Sequence, residues 1–360
     1  MKNRYYLVIL IGVLVCTGTV AALLMMSRSR RPRALYKVTF IPSLGGFLIN
    51  PHSLNEAGQV VGVAETPTHT QHIFLWDKQQ GFRELGRYDE PPHAGRLCIN
   101  NVGQIAGTTT DPNGYRRGFL WDVNDDRRQM LGTFGGHHAI AQDLNDKGQI
   151  VGYAEDATLQ RRAFLWDPNS GMRDLGSLGG DQSVALRLNE AGQVVGWCWT
   201  KARRTHLFLW DPVEGMIDLG ASGNGPFRCC INNRGFVVRR FGTTAGKTYF
   251  ATWTKETGAR ELDFVGVASA EPCALNDANR FLIRGRPAHL KLLGQSVRRR
   301  QECYLWDPND GIIPLQPRVP IPDLIYLKVT DINNKGCITA VIRTKGADLL
   351  RAVLLEPTGG

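Results

Sequence analysis

Histidine and acidic side chains occur at matching places in successive segments of the chain. His93, His138 and Gln182 each stand seven residues before an asparagine, and Asp181 precedes Gln182. Imidazole and carboxylate groups can ligate a metal or act as a general base when the fold brings them together. The shared register predicts that His93, His138 and Asp181 face one mouth of the fold, and isolated surface histidines are the alternative.

A second candidate site is a run of cations. No acid occurs between Arg280 and Gln301, a stretch that contains Arg284, Arg286, Lys291, Arg298, Arg299 and Arg300. Such a run attracts an anionic polymer, a phosphate-bearing lipid or an acidic protein at long range, or it is only a solvated loop. Aromatic residues do not alternate with these cations, which argues against a nucleic-acid partner, because single strands need stacking platforms.

The elements that carry these residues follow a repeat of about 44 residues. The segment LNEAGQVVG at 54–62 recurs in related form with its asparagine at positions 55, 100, 145, 189, 232, 276 and 333. A second motif, FLWD, follows with tryptophans 76, 121, 166, 210, 253 and 306, and Leu355 takes the seventh place. A period of 40 to 50 residues indicates a seven-bladed β-propeller with four strands in each blade.

One repeat shows how a blade is built. Residues 182–219 give the strand segments SVALRL, QVVGWCW, HLFLWD and MIDL, separated by turn residues. The Asn-x-x-Gly element predicts a tight hairpin, because asparagine bonds the backbone ahead of it and glycine adopts a positive φ. The FLWD tryptophans are expected to wedge between neighbouring sheets, and a sugar-stacking platform is the alternative.

The two ends of the chain predict a closure. Gly45 and Gly46 precede Asn55 at the spacing found in repeats three and four, so Val38 to Leu44 is predicted to be an outermost blade strand. The seventh repeat stops after its FLWD equivalent and lacks an outer strand of its own. We therefore expect the N-terminal strand to complete the last blade and cover its open edge.

The tandem pattern GG-x-x-x-x-A-x-x-L-N-x-x-G-Q-V-V-G, followed by AFLWD and DLG-x-L-GG, resembles the HAF repeats, described as extracellular repeats of bacteria. The resemblance covers essentially residues 38–357 and is strongest at 162–196. Repeats five to seven depart from it at Arg239, Asn279 and Leu355. The resemblance implies a β-propeller and an extracytoplasmic location, and it brings no established reaction.

The chain begins with a predicted membrane anchor. Residues 5–26 are uncharged and mostly apolar, long enough to cross a bilayer of about 30 Å as a helix. A cleaved signal peptide is the alternative, and the arginines at 28–33 leave the sidedness open. We assign an anchor at 1–27, a basic linker at 28–35 and the propeller at 36–360. Much of the net charge of +10 comes from cations that precede the first acid, Glu56.

The cysteines do not form a disulfide framework. Eight are present, one of them in the apolar segment, and none recurs in every repeat. Cys98, Cys229, Cys230 and Cys273 fall two or three residues before their asparagine, where small buried thiols are expected. There is no CxxC pair, so no metal or cofactor is expected.

The sequence favours a binding or scaffold module over an enzyme. It contains no Gly-x-Ser-x-Gly, P-loop, His-Glu-x-x-His or Rossmann glycine motif. We expect a membrane-tethered, extracytoplasmic propeller that binds an anionic surface polymer or protein. The alternative is a glycan-active hydrolase or lyase at the channel mouth, because such enzymes draw carboxylates from separate segments.

Overall fold

The computed structural model describes residues 35–88, 95–221, 228–242, 248–262, 267–287 and 302–358. Within these ranges the chain forms seven four-stranded antiparallel sheets, which confirms the all-β, seven-bladed propeller. None of the described segments is a helix long and apolar enough to cross a bilayer. The predicted anchor at 1–27 and most of the linker at 28–35 lie outside the described residues.

The chain builds each blade from the inside outward. The strands of blades 1 to 3 are β2 (Ile49–Leu54), β3 (Val60–Glu65), β4 (Gln71–Asp77) and β5 (Gly81–Arg87); β6 (Cys98–Ile99), β7 (Gln104–Thr110), β8 (Arg116–Asp122) and β9 (Arg127–Met130); and β10 (Gly135–Leu144), β11 (Ile150–Asp156), β12 (Arg161–Asp167) and β13 (Gly171–Asp174).

The strands of blades 4 and 5 are β14 (Gly179–Leu188), β15 (Val194–Thr200), β16 (Thr205–Asp211) and β17 (Gly215–Ala221); and β18 (Cys229–Ile231), β19 (Val237–Gly242), β20 (Thr248–Thr254) and β21 (Gly258–Leu262). Blade 6 consists of β22 (Val267–Leu275), β23 (Phe281–Pro287), β24 (Glu302–Asp307) and β25 (Gly311–Pro314). Blade 7 consists of β26 (Leu324–Ile332), β27 (Ile338–Thr344), β28 (Arg351–Pro357) and β1 (Tyr36–Ile41), and a short 3-10 turn at Gln316–Arg318 precedes it.

The predicted closure of the propeller is confirmed. Strand β1 pairs antiparallel with β28, from Tyr36 opposite Pro357 to Ile41 opposite Ala352, and forms the outer edge of blade 7. The strand begins two residues before the predicted Val38 and ends at Ile41, three residues before the predicted Leu44. The first and last parts of the described chain therefore share one sheet.

The Asn-x-x-Gly elements are tight hairpin turns between the first and second strands. In blade 1, the amide of Gly58 donates to the carbonyl of Asn55 at 3.1 Å, and the amide of Gln59 donates to the Asn55 side chain at 2.9 Å. Gly58 has a φ of 85°. In blade 6, Asn279 takes the glycine position with a φ of 59°, a conformation that asparagine tolerates.

The seven turn asparagines join the blades into a closed ring, which we call the asparagine ring. Each side-chain amide donates to the main-chain carbonyl of the asparagine in the next blade, at 3.0 to 3.2 Å, and Asn333 returns to Asn55. All seven residues are buried. The inner strands are therefore fixed at a constant spacing around a central channel.

A second ring surrounds the first at the residue after each asparagine. Its members are Glu56, Asn101, Asp146, Glu190, Asn233, Asp277 and Asn334. Each accepts, through a side-chain oxygen, a hydrogen bond from the main-chain amide of the member before it, at 2.7 to 3.0 Å. Because Glu, Asp and Asn all carry a suitable oxygen, the repeat tolerates each of them here.

The core lies between adjacent blades, as the FLWD motif predicted. Phe164 and Trp166 of blade 3, for example, pack with Cys98, Ala106 and Leu120 of blade 2 in one buried cluster. The tryptophans at 76, 121, 166 and 210 are buried, and those at 253 and 306 pack partly buried against such clusters. The tryptophans are structural wedges.

We expect Asn145→Ala to lower the free energy of unfolding by about 1–3 kcal/mol, because it leaves buried partners without hydrogen bonds. The Asn145 amide donates to Gln149 at 2.8 Å and to the carbonyl of Asn189 at 3.2 Å. Urea unfolding of the variant and of Asn113→Ala, a change at an exposed turn, measures the difference. Equal stability of the two variants would contradict a structural role for the ring.

Candidate functional site

The inner strands carry a β-bulge that turns extra side chains into the central channel. In five blades the pairing of the first and second strands skips one residue, three positions before the ring asparagine. The skipped residues are His52, Gln142, Leu186, Cys273 and Thr330, and all five line a cavity in the channel. A bulge re-aims side chains in this way and breaks the strict alternation of a strand.

The cavity has a volume of about 400 Å³ and is lined by cations. Five basic residues contribute to its wall: Arg96, Arg187, Arg228, Arg284 and Lys328. They come from blades 2, 4, 5, 6 and 7, so the propeller collects them from segments far apart in sequence. No carboxylate is among the residues described in this wall.

The acids near the cavity are already engaged by arginines. Glu271 lies against three guanidinium groups: its carboxylate oxygens are 3.3 Å from Arg228 Nε, 3.8 Å from Arg240 Nη1 and 4.0 Å from Arg284 Nη2. Arg228 and Arg284 line the cavity, and their two positive charges exceed the single negative charge of Glu271. This group of Glu271, Arg228, Arg240 and Arg284, which we call the arginine cluster, therefore carries excess positive charge.

The other side of the channel holds two more acids. Asp331 accepts hydrogen bonds from Arg96 Nη2 at 3.1 Å and from the main-chain amide of Leu54 at 3.0 Å. Asp143 accepts from the amide of Leu188 at 3.1 Å, and burial raises the pKa of its carboxyl group. Both acids serve the inner strands and leave the cavity positive.

The crowding of cations shows in the pKa values of Lys328 and Arg228, two of the five channel cations. Burial and the nearby Arg284 lower the pKa of Lys328, and the same two causes lower the pKa of Arg228. Like charges disfavour each other in a partly desolvated site. An anion bound in the cavity would relieve this repulsion.

His52 is a neutral hydrogen-bonding group in the same wall. Its Nδ1 accepts a hydrogen bond from the main-chain amide of Leu97 at 3.2 Å. Burial, together with Arg96 and Lys328, lowers its pKa to about 3. The ring hydrogen therefore lies on Nε2, which makes His52 a donor at neutral pH.

The channel cysteines are buried thiols, as predicted, and the described cysteines are free. Burial raises the pKa of Cys98 and Cys229 to about 12 and that of Cys230 to about 11. Arg284 Nε donates to Cys273 Sγ at 2.9 Å. Among the described residues, no group of three His, Cys, Asp or Glu side chains is arranged to hold a metal ion.

The predicted cationic loop is placed only in part. Arg284 lies on β23, and its side chain enters the channel wall. Arg286 lies near the end of the same strand, with its side chain outside the described part. His93, Lys291, Arg298, Arg299 and Arg300 also lie outside the described residues, and their roles stay predictions.

His138 and Asp181 each interact with other residues close to them. The main-chain amide of Arg116 donates to His138 Nδ1 at 3.1 Å, and the amide of His138 donates to Glu155 at 3.1 Å. Asp181 forms an ion pair with Arg203 at 2.9 Å. The described contacts do not join His138 to Asp181, and an enzymatic role for them stays a prediction.

Sequence reasoning missed four of the five channel cations. Arg96 and Arg228 share one register, four residues before their asparagines, and Lys328 stands five before its own. A comparison of charged residues at equivalent repeat positions could have identified Arg96 and Arg228. Arg187 follows the bulged residue Leu186, and this bulge leaves no mark in the sequence.

The fold is shared with solved propellers of low sequence identity. The chain is similar to the β-propeller domain of the Trilobed protease from Pyrococcus furiosus, with 9% identity over 87% of this chain and 97% of that chain and a TM-score of 0.57. It is also similar to a chain in the crystal structure of the Mitotic Checkpoint Complex, with 13% identity over 91% of this chain and 93% of that chain and a TM-score of 0.53.

TolB from Acinetobacter baumannii matches more weakly, with 13% identity and a TM-score of 0.46. That match covers 60% of this chain and about half, 54%, of the TolB chain. No family model and no curated protein matches the sequence. The likenesses to the protease domain and the checkpoint complex show a propeller fold.

We expect the stability to fall as the pH drops from about 6.5 towards 3, because His52 takes a proton in the unfolded chain well before it does so in the folded one. Between pH 6.5 and 4.5 the loss is about 2 kcal/mol. Urea unfolding of the wild type and of His52→Gln across this range measures it, and the variant has the shallower slope. His137→Gln, at an exposed histidine, is the control. Parallel slopes for the wild type and His52→Gln would contradict a neutral His52.

Proposed function

We propose that this protein is a membrane-tethered binding propeller that holds an anionic group in its central channel. The observation that carries the proposal is in the arginine cluster, where Arg228 and Arg284 line the cavity and both approach the carboxylate of Glu271. Guanidinium groups suit carboxylate, phosphate and sulfate, because their donors match the spacing of the acceptor oxygens. A ligand with such a group would complete the charge balance of the site.

The dimensions favour a small anionic group over a buried polymer. A cavity of about 400 Å³ lies within the range of small-molecule sites. The donors available to the ligand come from Arg228, Arg284 and Lys328, together with the neutral His52. An anionic polymer or protein could still present a terminal or side group to this mouth.

The sequence beyond β23 adds long-range attraction to the proposal. Lys291 and the three arginines at 298–300 follow Arg284 without an intervening acid. Attraction over several ångströms needs charge but no fixed geometry, and it raises the rate of encounter with an anion. We therefore assign these cations to capture and the channel residues to holding the ligand.

The location is proposed from the sequence. The apolar segment at 5–26 supports an uncleaved anchor, and the resemblance to HAF repeats supports a position outside the cytoplasm. An envelope location would place the channel mouth where anionic surface molecules are abundant. The absence of an enzyme motif supports binding rather than turnover.

We expect Arg228→Gln and Lys328→Met each to weaken the binding of inorganic phosphate at least tenfold, because each removes one charged hydrogen bond worth about 1.5–3 kcal/mol. Isothermal titration of the full chain in lipid nanodiscs, with empty discs as the blank, measures the affinity. The matched control is Arg127→Gln, which removes the same charge from the exposed outer strand of blade 2.

Sulfate and acetate serve as further probes in the same titration. Binding that persists unchanged in both channel variants would place the anion elsewhere. Failure of all three anions to bind the wild type would overturn the proposed function.

We expect the full chain to sediment with membranes after an alkaline carbonate wash, and a chain of residues 34–360 to remain in the supernatant. The apolar segment supplies the anchoring energy, and the basic linker alone is released by the wash. Protease added to intact cells or spheroplasts then reports the side on which the propeller lies. If the protein expressed from the full sequence is found in the supernatant, shortened by a signal peptidase, the anchor is contradicted.

A further inference from the structure

A second cavity adjoins the cationic one. It has a volume of about 230 Å³ and lies between blades 7, 1 and 2. Its wall is mostly apolar or aromatic, formed by Leu48, Ile49, Val63, Tyr88, Tyr326, Val341 and Leu350, with a few polar side chains among them. We call it the apolar side pocket.

The two cavities share part of one wall. Asn50, His52, Gly95 and Lys328 border both. The ammonium group of Lys328 is 3.4 Å from Asn50 Oδ1, so the only cation described in the side pocket stands at the junction with the cationic cavity. An anionic group held there would leave the rest of its molecule next to the apolar wall.

The carboxylate of Glu65 in the side pocket is committed to hydrogen bonds with neighbouring residues. Both carboxylate oxygens of Glu65 are engaged: one accepts from the amides of Phe47 and Leu48 at 3.0 and 3.1 Å, and the other lies 2.9 Å from His69 Nδ1. These bonds hold Leu48 at the rim of the pocket. Glu65 is thereby a structural acid and does not offer a free charge to a ligand.

We propose that the ligand is an amphiphilic anion, with a carboxylate or phosphate group at Lys328 and His52 and an apolar chain or ring in the side pocket. This inference rests on the proposed function and names the class of its ligand. The neutral His52 supplies a donor to the anionic group without adding charge. A side pocket of about 230 Å³ holds roughly eight water-sized groups, so a short chain or a single ring fills it.

The side pocket predicts a different affinity for an amphiphilic anion than for an inorganic ion. An inorganic anion uses only the cations, so it gains nothing from the apolar wall. An alkyl chain that enters the pocket leaves water, and its affinity rises about threefold to fourfold for each buried methylene group. The gain stops when the pocket is full.

The test compares inorganic phosphate with methyl, butyl, hexyl and octyl phosphate, all below their micelle concentrations. Isothermal titration uses the full chain in nanodiscs, with empty discs subtracted. We expect the affinity to rise with chain length and then level off. Leu48→Gln and Leu350→Gln, from two different blades, reduce the gain per methylene and leave the affinity for inorganic phosphate within twofold of the wild type.

The matched control is Leu159→Gln, because Leu159 is 55% exposed and Leu48 is 47% exposed. Leu159 lies in the turn between β11 and β12, away from the side pocket, and its substitution should preserve the full gain. Lys328→Met should weaken every phosphate ester and inorganic phosphate alike.

The outcomes separate this inference from the proposed function. If inorganic phosphate binds and longer chains add nothing, the amphiphilic ligand is wrong and the anion site stands. The amphiphilic ligand is equally wrong if the chain-length gain is the same in Leu48→Gln, Leu350→Gln and Leu159→Gln. If neither phosphate nor its esters bind, both proposals fail together.

Discussion

The asparagine ring is the constraint on which the rest of this propeller depends. Each buried amide reaches one carbonyl in the next blade, and the seventh bond closes on the first. Because hydrogen bonds of 3.0 to 3.2 Å leave little freedom, the seven inner strands cannot move apart independently. The width of the channel is thus fixed at one end by these bonds from asparagine side chains to main-chain carbonyls, and the side chains farther along the inner strands are free to vary.

Because these side chains vary, the channel is asymmetric although the asparagine ring and the blades repeat regularly. At the position four residues before the ring asparagine, blades 2 and 5 carry Arg96 and Arg228, whereas blades 3 and 4 carry alanine. The channel cations consequently occupy different repeat positions in different blades instead of recurring at one position in all seven. The apolar side pocket is likewise local, because it forms where blade 7, completed by the first strand, meets blades 1 and 2. Sites of this kind arise where repeats diverge and the frame stays constant.

The sequence predicted the frame well because periodic residues carry it. Asn, Gly and Trp at fixed spacing gave the blade count, the hairpin turns, the wedges between sheets and the closure by the first strand. The channel site was predicted poorly for a physical reason: a bulge shifts the side-chain alternation by one residue, and nothing in the sequence around His52 or Thr330 marks it.

Arg284 was predicted as a ligand-binding residue because it belongs to a cationic run, but it contributes to the channel because its side chain on β23 lines the cavity. Hydrogen bonds that one blade supplies for another are equally hidden. In blades 1 to 4 a glutamine four residues after the ring asparagine accepts from its amide, but blade 5 has Phe236 at that position. Asn279 of blade 6 accepts from Asn232 instead, at 2.8 Å.

The closure of blade 7 also decides how the molecule carries mechanical load. Strand β1 is the first strand of the described residues, and six residue pairs bind it along its whole length to β28. A pull on the chain before Tyr36 acts along that strand, so the ladder resists in shear and its hydrogen bonds must yield together instead of one after another. The adjoining strands then pass the force inward to the asparagine ring, which spreads it over all seven blades. Pairing along the whole of β1 therefore makes blade 7 resistant to tension applied before Tyr36.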